Sequence, residues 1–143
     1  LMAKEGGAAN ASRRDNFSAS VINILARRAG GKCSMCKRST FGPNDDPRKA
    51  ICIGQAAHIA AAAPDGPRYD RNMTVEERIS ATNGMWLCSN CHLIIDRNPA
   101  EYPIEKLNAI KREAEEEAKK EMDGSGAYLK GRVSNELSDP VVV

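Results

Sequence analysis

Two Cys-x-x-Cys pairs, Cys33 with Cys36 and Cys88 with Cys91, constrain this chain more than any other feature. A zinc ion prefers four thiolate or imidazole ligands in a tetrahedron, and two-residue spacers let a tight turn aim both thiolates of a pair at one ion. If one ion takes all four, the 51 residues between Cys36 and Cys88 become a closed insert. Closing so long a loop costs chain entropy, and a structural zinc contributes about 10–16 kcal/mol of apparent binding free energy to offset it. The competing readings of the four thiols are a redox pair and small buried residues. Five cysteines, an odd count, with no apolar signal-peptide core, argue against a disulfide framework and for metal binding with one thiol left over. That thiol, Cys52, reads as a core residue.

The rest of the composition agrees with a stapled fold. Two Phe, one Trp and three Tyr in 143 residues leave a small aliphatic core, and a small core usually needs a metal or another cross-link. One domain with tails is expected. No apolar run approaches the ~18 residues of a membrane-spanning helix, so a cytoplasmic, soluble protein with no membrane partner is expected. Charge is uneven: residues 1–58 carry ten Lys/Arg against four Asp/Glu, whereas residues 101–143 carry seven against ten. A basic metal-site half suits a polyanion, and it is equally the pattern of a solvated surface.

Residues 1–17 read as a flexible lead, 18–122 as the folded domain and 123–143 as a linker or tail. Ser18 or Ser20 caps a helix whose apolar stripe is Val21, Ile22, Leu25 and Ala29, and Gly30-Gly31 stops it just before Cys33. Lys32, Lys37 and Arg38 beside the first pair would lower the thiol pKa values. Residues 40–49 are dense in breakers and read as a loop without an element. Residues 50–59 fit a short buried strand ending near His58, with Gly54 marking a bulge or a close backbone approach. The four alanines from 60 to 63 begin a possible helical turn, then break into a loop. Thr74 and Glu77 form a capping box for a short helix running to about Ser80. Asn83-Gly84 marks a turn before a second strand, residues 85–88, and Ser89 caps the helix carrying Cys91, His92 and Asp96. Pro103 opens a last helix with Ile104, Leu107, Ile110, Ala114 and Ala118 on one face. Glu115–Lys119 and Glu116–Lys120 pair on the other, its far half being solvated.

The two histidines carry the chemical argument once the thiolates are assigned. His92 follows Cys91, so metal binding would fix its backbone, and Asp96 lies one helical turn later on the same face. An imidazole and a carboxylate with open positions suit Mg²⁺, Mn²⁺ or Ni²⁺ better than a second structural zinc. The plain alternative for Asp96 is a surface or capping carboxylate. Taken singly, His58 reads as a satisfied core or surface residue.

The order Cys-x-x-Cys, Ala57-His58-Ile59, then Asn83-Gly84-Met85-Trp86-Leu87-Cys88-x-x-Cys91-His92 resembles the zinc-containing HNH, or ββα-metal, nucleases. Residues 54–59, 66–70, 73–78 and 102–107 look more closely like the HNH domains of bacterial anti-phage effectors that carry a cyclic-nucleotide sensor (SAVED) domain. The resemblance implies an α+β fold with a treble-clef-like ββα-metal core stapled by a four-cysteine zinc, flanked by an N-terminal and a C-terminal helix. It implies metal-dependent hydrolysis of DNA phosphodiesters. His58 would be the general base, His92 a ligand of a divalent ion, and Asn83 the residue that orients the loop carrying His58. Asn-Gly is also a turn signal by itself. It further implies oligomerisation on activation and a sensor C-terminal to this chain. One departure stands out: many members place an Asp immediately before the first His as an ion ligand, whereas here the residue is Ala57. Either Asp96 takes that role or His58 itself approaches the ion, and Asp96 is favoured.

Lys32, Lys37, Arg38 and Arg68, with Arg27 and Arg28, are candidate phosphate contacts, which add affinity without sequence choice. No stretch resembles a recognition helix or a base-stacking platform, so little sequence specificity is expected. The rival reading is a non-catalytic zinc-finger module that binds nucleic acid or protein.

Overall fold

A computed structural model describes residues 14–124 of the chain. The expected tail over 125–143 and most of the expected lead, 1–13, lie outside the described residues. The architecture is mixed α+β, with two small two-stranded antiparallel sheets among helices. The first helix, α1 (Ala19–Arg28), starts where the Ser18 hydroxyl accepts from Val21 N. It stops at Gly30 and Gly31, whose φ angles of 66° and 74° are left-handed positions that suit glycine. Chain reversal there leads the chain directly into Cys33, as the sequence predicts.

Residues 40–49 hold an element after all. β1 (Phe41–Pro43) pairs with β2 (Ala50–Cys52), so the breaker-rich stretch is the turn of a hairpin rather than a structureless loop. The predicted strand over 50–59 is two strands in different sheets, because the chain changes partner at Ile53. β3 (Gly54–His58) pairs antiparallel with β4 (Gly84–Cys88), setting His58 opposite Gly84 and Gly54 opposite Cys88. Gly54 is a close approach: a Cβ there would lie 2.2 Å from the Trp86 ring. Cys52 is exposed, not a core residue, because the β1–β2 hairpin stands off the core with Phe41, Ile51 and Ile53 partly in solvent.

Between the paired strands run α2 (Val75–Arg78), with the predicted Thr74–Glu77 capping box, and a 3-10 turn at Ala81–Asn83. Asn83-Gly84 is the exit of that turn into β4, in line with the expected turn before the second strand. The four alanines of 60–63 are buried and carry no helix. Every residue of β4 is buried, and α3 (Ser89–Arg97) follows it directly, capped by the Cys88 sulfur rather than by Ser89. The core is small and aliphatic, as composition requires: Ile59, Met85, Leu87, Ile95 and Leu107 pack around Cys33, Cys88 and Cys91.

The last helix, α4 (Ile104–Met122), buries Leu107 and Ala114. Its far half is not simply solvated. Glu115 pairs with Arg28 of α1 at 2.6 Å rather than with Lys119, and Glu121 and Glu117 reach Lys32 and Lys37. Opposite charges on the two halves of the chain thus close on each other. Among the described residues no helix is long and apolar enough to cross a membrane.

Candidate functional site

The sulfurs of Cys33, Cys36, Cys88 and Cys91 all lie within 4.8 Å of one another. Cys36 Sγ and Cys88 Sγ are 3.8 Å apart, the edge of a tetrahedron whose centre-to-sulfur distance is about 2.3 Å. Backbone bonds build the cradle: Ser34 N donates to Trp86 O, and Lys37 N, at a left-handed φ of 66°, donates to Cys33 O. Without a cation four such thiols conflict. Burial and the neighbouring Cys88 and Cys33 sulfurs push the Cys91 thiol far up. Burial also opposes ionisation of Cys33, but N–H groups of Cys36, Cys88 and Met35 outweigh it and bring that thiol down to about 7. Those N–H groups, not the nearby Lys and Arg side chains expected from the sequence, favour the thiolate. A dication at the centre removes the conflict. Among the described residues this is the group of three or more Cys, His, Asp or Glu whose ligand atoms gather for one ion.

Beyond the thiols, the first turn of α3 aims His92 at Asp96. His92 Nε2 lies 3.2 Å from Asp96 Oδ2, and His92 Nδ1 lies 2.6 Å from Gln55 Oε1 of β3. The amide oxygen accepts from Nδ1–H, which leaves a lone pair on Nε2 facing a carboxylate oxygen. Two acceptors at that separation require a shared cation, either a proton or a metal ion. Cis ligands of an octahedral ion at about 2.1 Å are about 3.0 Å apart, so the donor pair fits one, and Gln55 supplies the outer hydrogen bond that orients a ligating imidazole. Burial raises the Asp96 carboxyl, but the neighbouring His92 and Arg68 outweigh it and hold it below the ordinary range.

His58 closes the site from β3. Its Nε2 lies 2.8 Å from Asp15 O, and because a carbonyl only accepts, Nε2 carries the proton and Nδ1 keeps the lone pair. The ring stacks on Phe17, centroids 3.9 Å apart and planes 9° from parallel. Burial, with smaller contributions from Arg14 and His92, lowers its pKa, against a raising hydrogen bond to Asp15. His58, His92, Asp96, Phe17 and Arg14 all line one cavity of about 250 Å³. Asn83 is buried and donates to Ala60 O and Arg78 O while its Oδ1 accepts from Ala60 N. It thus clamps the chain leaving His58, and it does more than mark a turn. Ala57 is fully buried in the aliphatic core, since strand alternation turns it away from the face of His58. A carboxylate at that position would enter the core rather than the cavity.

Arg68 differs most from its expected place at the surface. Its side chain is only 4% exposed and donates to Ile59 O, Ile95 O and Asp96 Oδ1 at 2.8–2.9 Å. It ties the end of β3 to α3 and leaves Asp96 Oδ2 free for His92. Lys32 and Lys37 are paired with acids of α4, whereas Arg38 is exposed. Gln55, Asp15, Phe17 and Arg78, which the sequence does not single out for any role, are part of the site's framework. Gln55 carried a weak signal as an exposed polar residue on β3; Asp15, 43 residues from His58, carried none. No protein-family model matches the chain, and no curated protein matches it.

Proposed function

We propose that the chain is a metal-dependent DNA endonuclease of the HNH type, with a structural zinc on Cys33, Cys36, Cys88 and Cys91. The observation that carries the reading is the meeting of His58, as an Nε2–H tautomer with a basic Nδ1, and the His92–Asp96 pair in one cavity. β3, β4 and α3 run strand, strand, helix in the order of a ββα-metal core, which supports the same reading.

In this mechanism His58 Nδ1 takes a proton from water as the water oxygen bonds to phosphorus and the bond to the 3′ oxygen breaks. General base catalysis of this kind contributes roughly 10²–10⁴-fold. His92 and Asp96 would hold Mg²⁺, Mn²⁺ or Ni²⁺, which as a Lewis acid neutralises charge on the phosphate and the leaving oxygen. Gln55 and Arg68 orient the two ligands, Asn83 holds the backbone after His58, and Arg14 places a cation at the cavity wall. Cleavage with little sequence preference is the expectation, since none of the helices among the described residues resembles a recognition helix. The resemblance to sensor-linked anti-phage effectors extends the proposal to activation by a cyclic nucleotide and oligomerisation, through a domain outside this chain.

Plasmid cleavage tests the reading. Zinc-loaded protein with Mg²⁺, Mn²⁺ or Ni²⁺ should nick and linearise DNA, and His58→Ala should lose at least about 100-fold in rate while keeping its zinc and a cooperative thermal transition. If wild type and His58→Ala are equally inert with every ion, and with cyclic nucleotides supplied to a sensor-containing form, the enzyme reading gives way to a zinc-finger binding module.

A further inference from the structure

Phe17 and Asp15 precede α1, in a stretch that composition assigns to a flexible lead, yet both are buried. They meet His58 in two different ways. Phe17 lies flat on the imidazole, and the Asp15 carbonyl accepts from its Nε2–H. A stacked ring limits rotation about the side-chain torsions, and a carbonyl acceptor selects one tautomer.

The segment is itself anchored. Asp15 N donates to Ala62 O at 2.9 Å, and the Asp15 carboxylate accepts from Arg78 Nη1 at 2.7 Å, with both side chains under a tenth exposed. Arg78 Nη2 donates to Asp70 O and Met73 O, its guanidinium lies over the Tyr69 ring, and its own carbonyl accepts from Asn83. Its Nε has no acceptor among the described residues. A buried ion pair with an unsatisfied donor is a poor source of stability against an apolar pair of similar volume. What it does supply is a fixed place for the Asp15 backbone.

We infer that Asp15 and Phe17, locked by Arg78, are positioning residues that hold His58 as its Nε2–H tautomer with Nδ1 turned to the cavity. The geometric claim stands on the contacts alone; its kinetic consequence rests on the nuclease reading above.

Imidazole ¹⁵N NMR on the full chain reports the tautomer directly. Wild-type neutral His58 should be a single Nε2–H form, and Asp15→Asn and Phe17→Leu should each populate the Nδ1–H form. In plasmid cleavage the same variants should lose about 10–100-fold in kcat, part of the general-base contribution, with KM for DNA and zinc content unchanged. A wild-type Nδ1–H tautomer overturns the inference without any variant being needed. So do folded variants that keep one Nε2–H form and the wild-type kcat. If wild type cleaves no DNA with any ion, and none as a sensor-containing form with cyclic nucleotides, the nuclease reading fails, and the tautomer result decides the positioning role by itself.

Discussion

His58 shows how a single side chain takes its chemistry from its surroundings. Burial disfavours its charged form, and Arg14 and His92 add to that, so its pKa lies below the ordinary 6.5. At pH 7 it is therefore neutral and able to accept a proton. The cleavage rate should be flat above neutrality and fall about tenfold per pH unit below the depressed pKa, as single-turnover rates across pH would show. The same shift affects stability. The unfolded chain binds the proton more tightly, so the stability tied to His58 is present above about 6.5 and is lost as pH falls through the folded-state value. Arg68 is the other informative residue. Removing its guanidinium orphans two buried carbonyls and leaves Asp96 Oδ1 without the donor that holds it. Asp96 is about a third exposed, which moderates the loss, and Arg68→Ala should cost about 2–3 kcal/mol in urea denaturation. It should also weaken Mn²⁺ binding measured by calorimetry, because the carboxylate loses its fixed orientation.

Among the elements, the β3–β4 pair makes the site possible, since its register sets His58 against Gly84 while β4 runs straight into the Cys88 end of α3. The pairing depends on Gly54, where the backbone passes beneath the Trp86 indole. Gly54→Ala forces that ring to move, and Trp86 is held by a hydrogen bond to Thr40 and by stacking on Phe41. The substitution should cost about 2–3 kcal/mol, read as a drop in melting temperature with changed Trp fluorescence. Gly54→Ser should be no better tolerated. The helix α4 shows why periodicity alone is incomplete. Its Leu107 face is legible in sequence, but the choice of Arg28 over Lys119 by Glu115 is not, because i,i+4 spacing offers one partner and the packing of α1 offers a better, bidentate one.

At the scale of the whole molecule, four thiols join the loop after α1 to the start of α3 across the longest insert in the described chain. The five large aliphatic side chains packed around the thiols are thin support for such a closure, so metal removal should be drastic. Treatment with a strong zinc chelator should abolish cooperative thermal unfolding followed by circular dichroism, and Zn²⁺ but not Mg²⁺ should restore it. Retention of a sharp transition after complete zinc removal would show that the apolar core suffices. The two Cys-x-x-Cys pairs, the mixed α+β character, a serine cap at Ser18 or Ser20, the Thr74 cap and the glycine stop before Cys33 were all legible in the sequence. Each depends on residues within a few positions of one another, where backbone sterics and ligand spacing act locally. The tertiary structure alone decided that Arg68 turns inward to Asp96, that Cys52 faces solvent, that residues 40–49 form half a hairpin, and that Asp15 and Phe17 hold His58. The Arg68–Asp96 and Asp15–His58 contacts join positions tens of residues apart and depend on which buried polar groups find partners after packing, whereas the hairpin and the exposure of Cys52 depend on how β1 and β2 stand relative to the core.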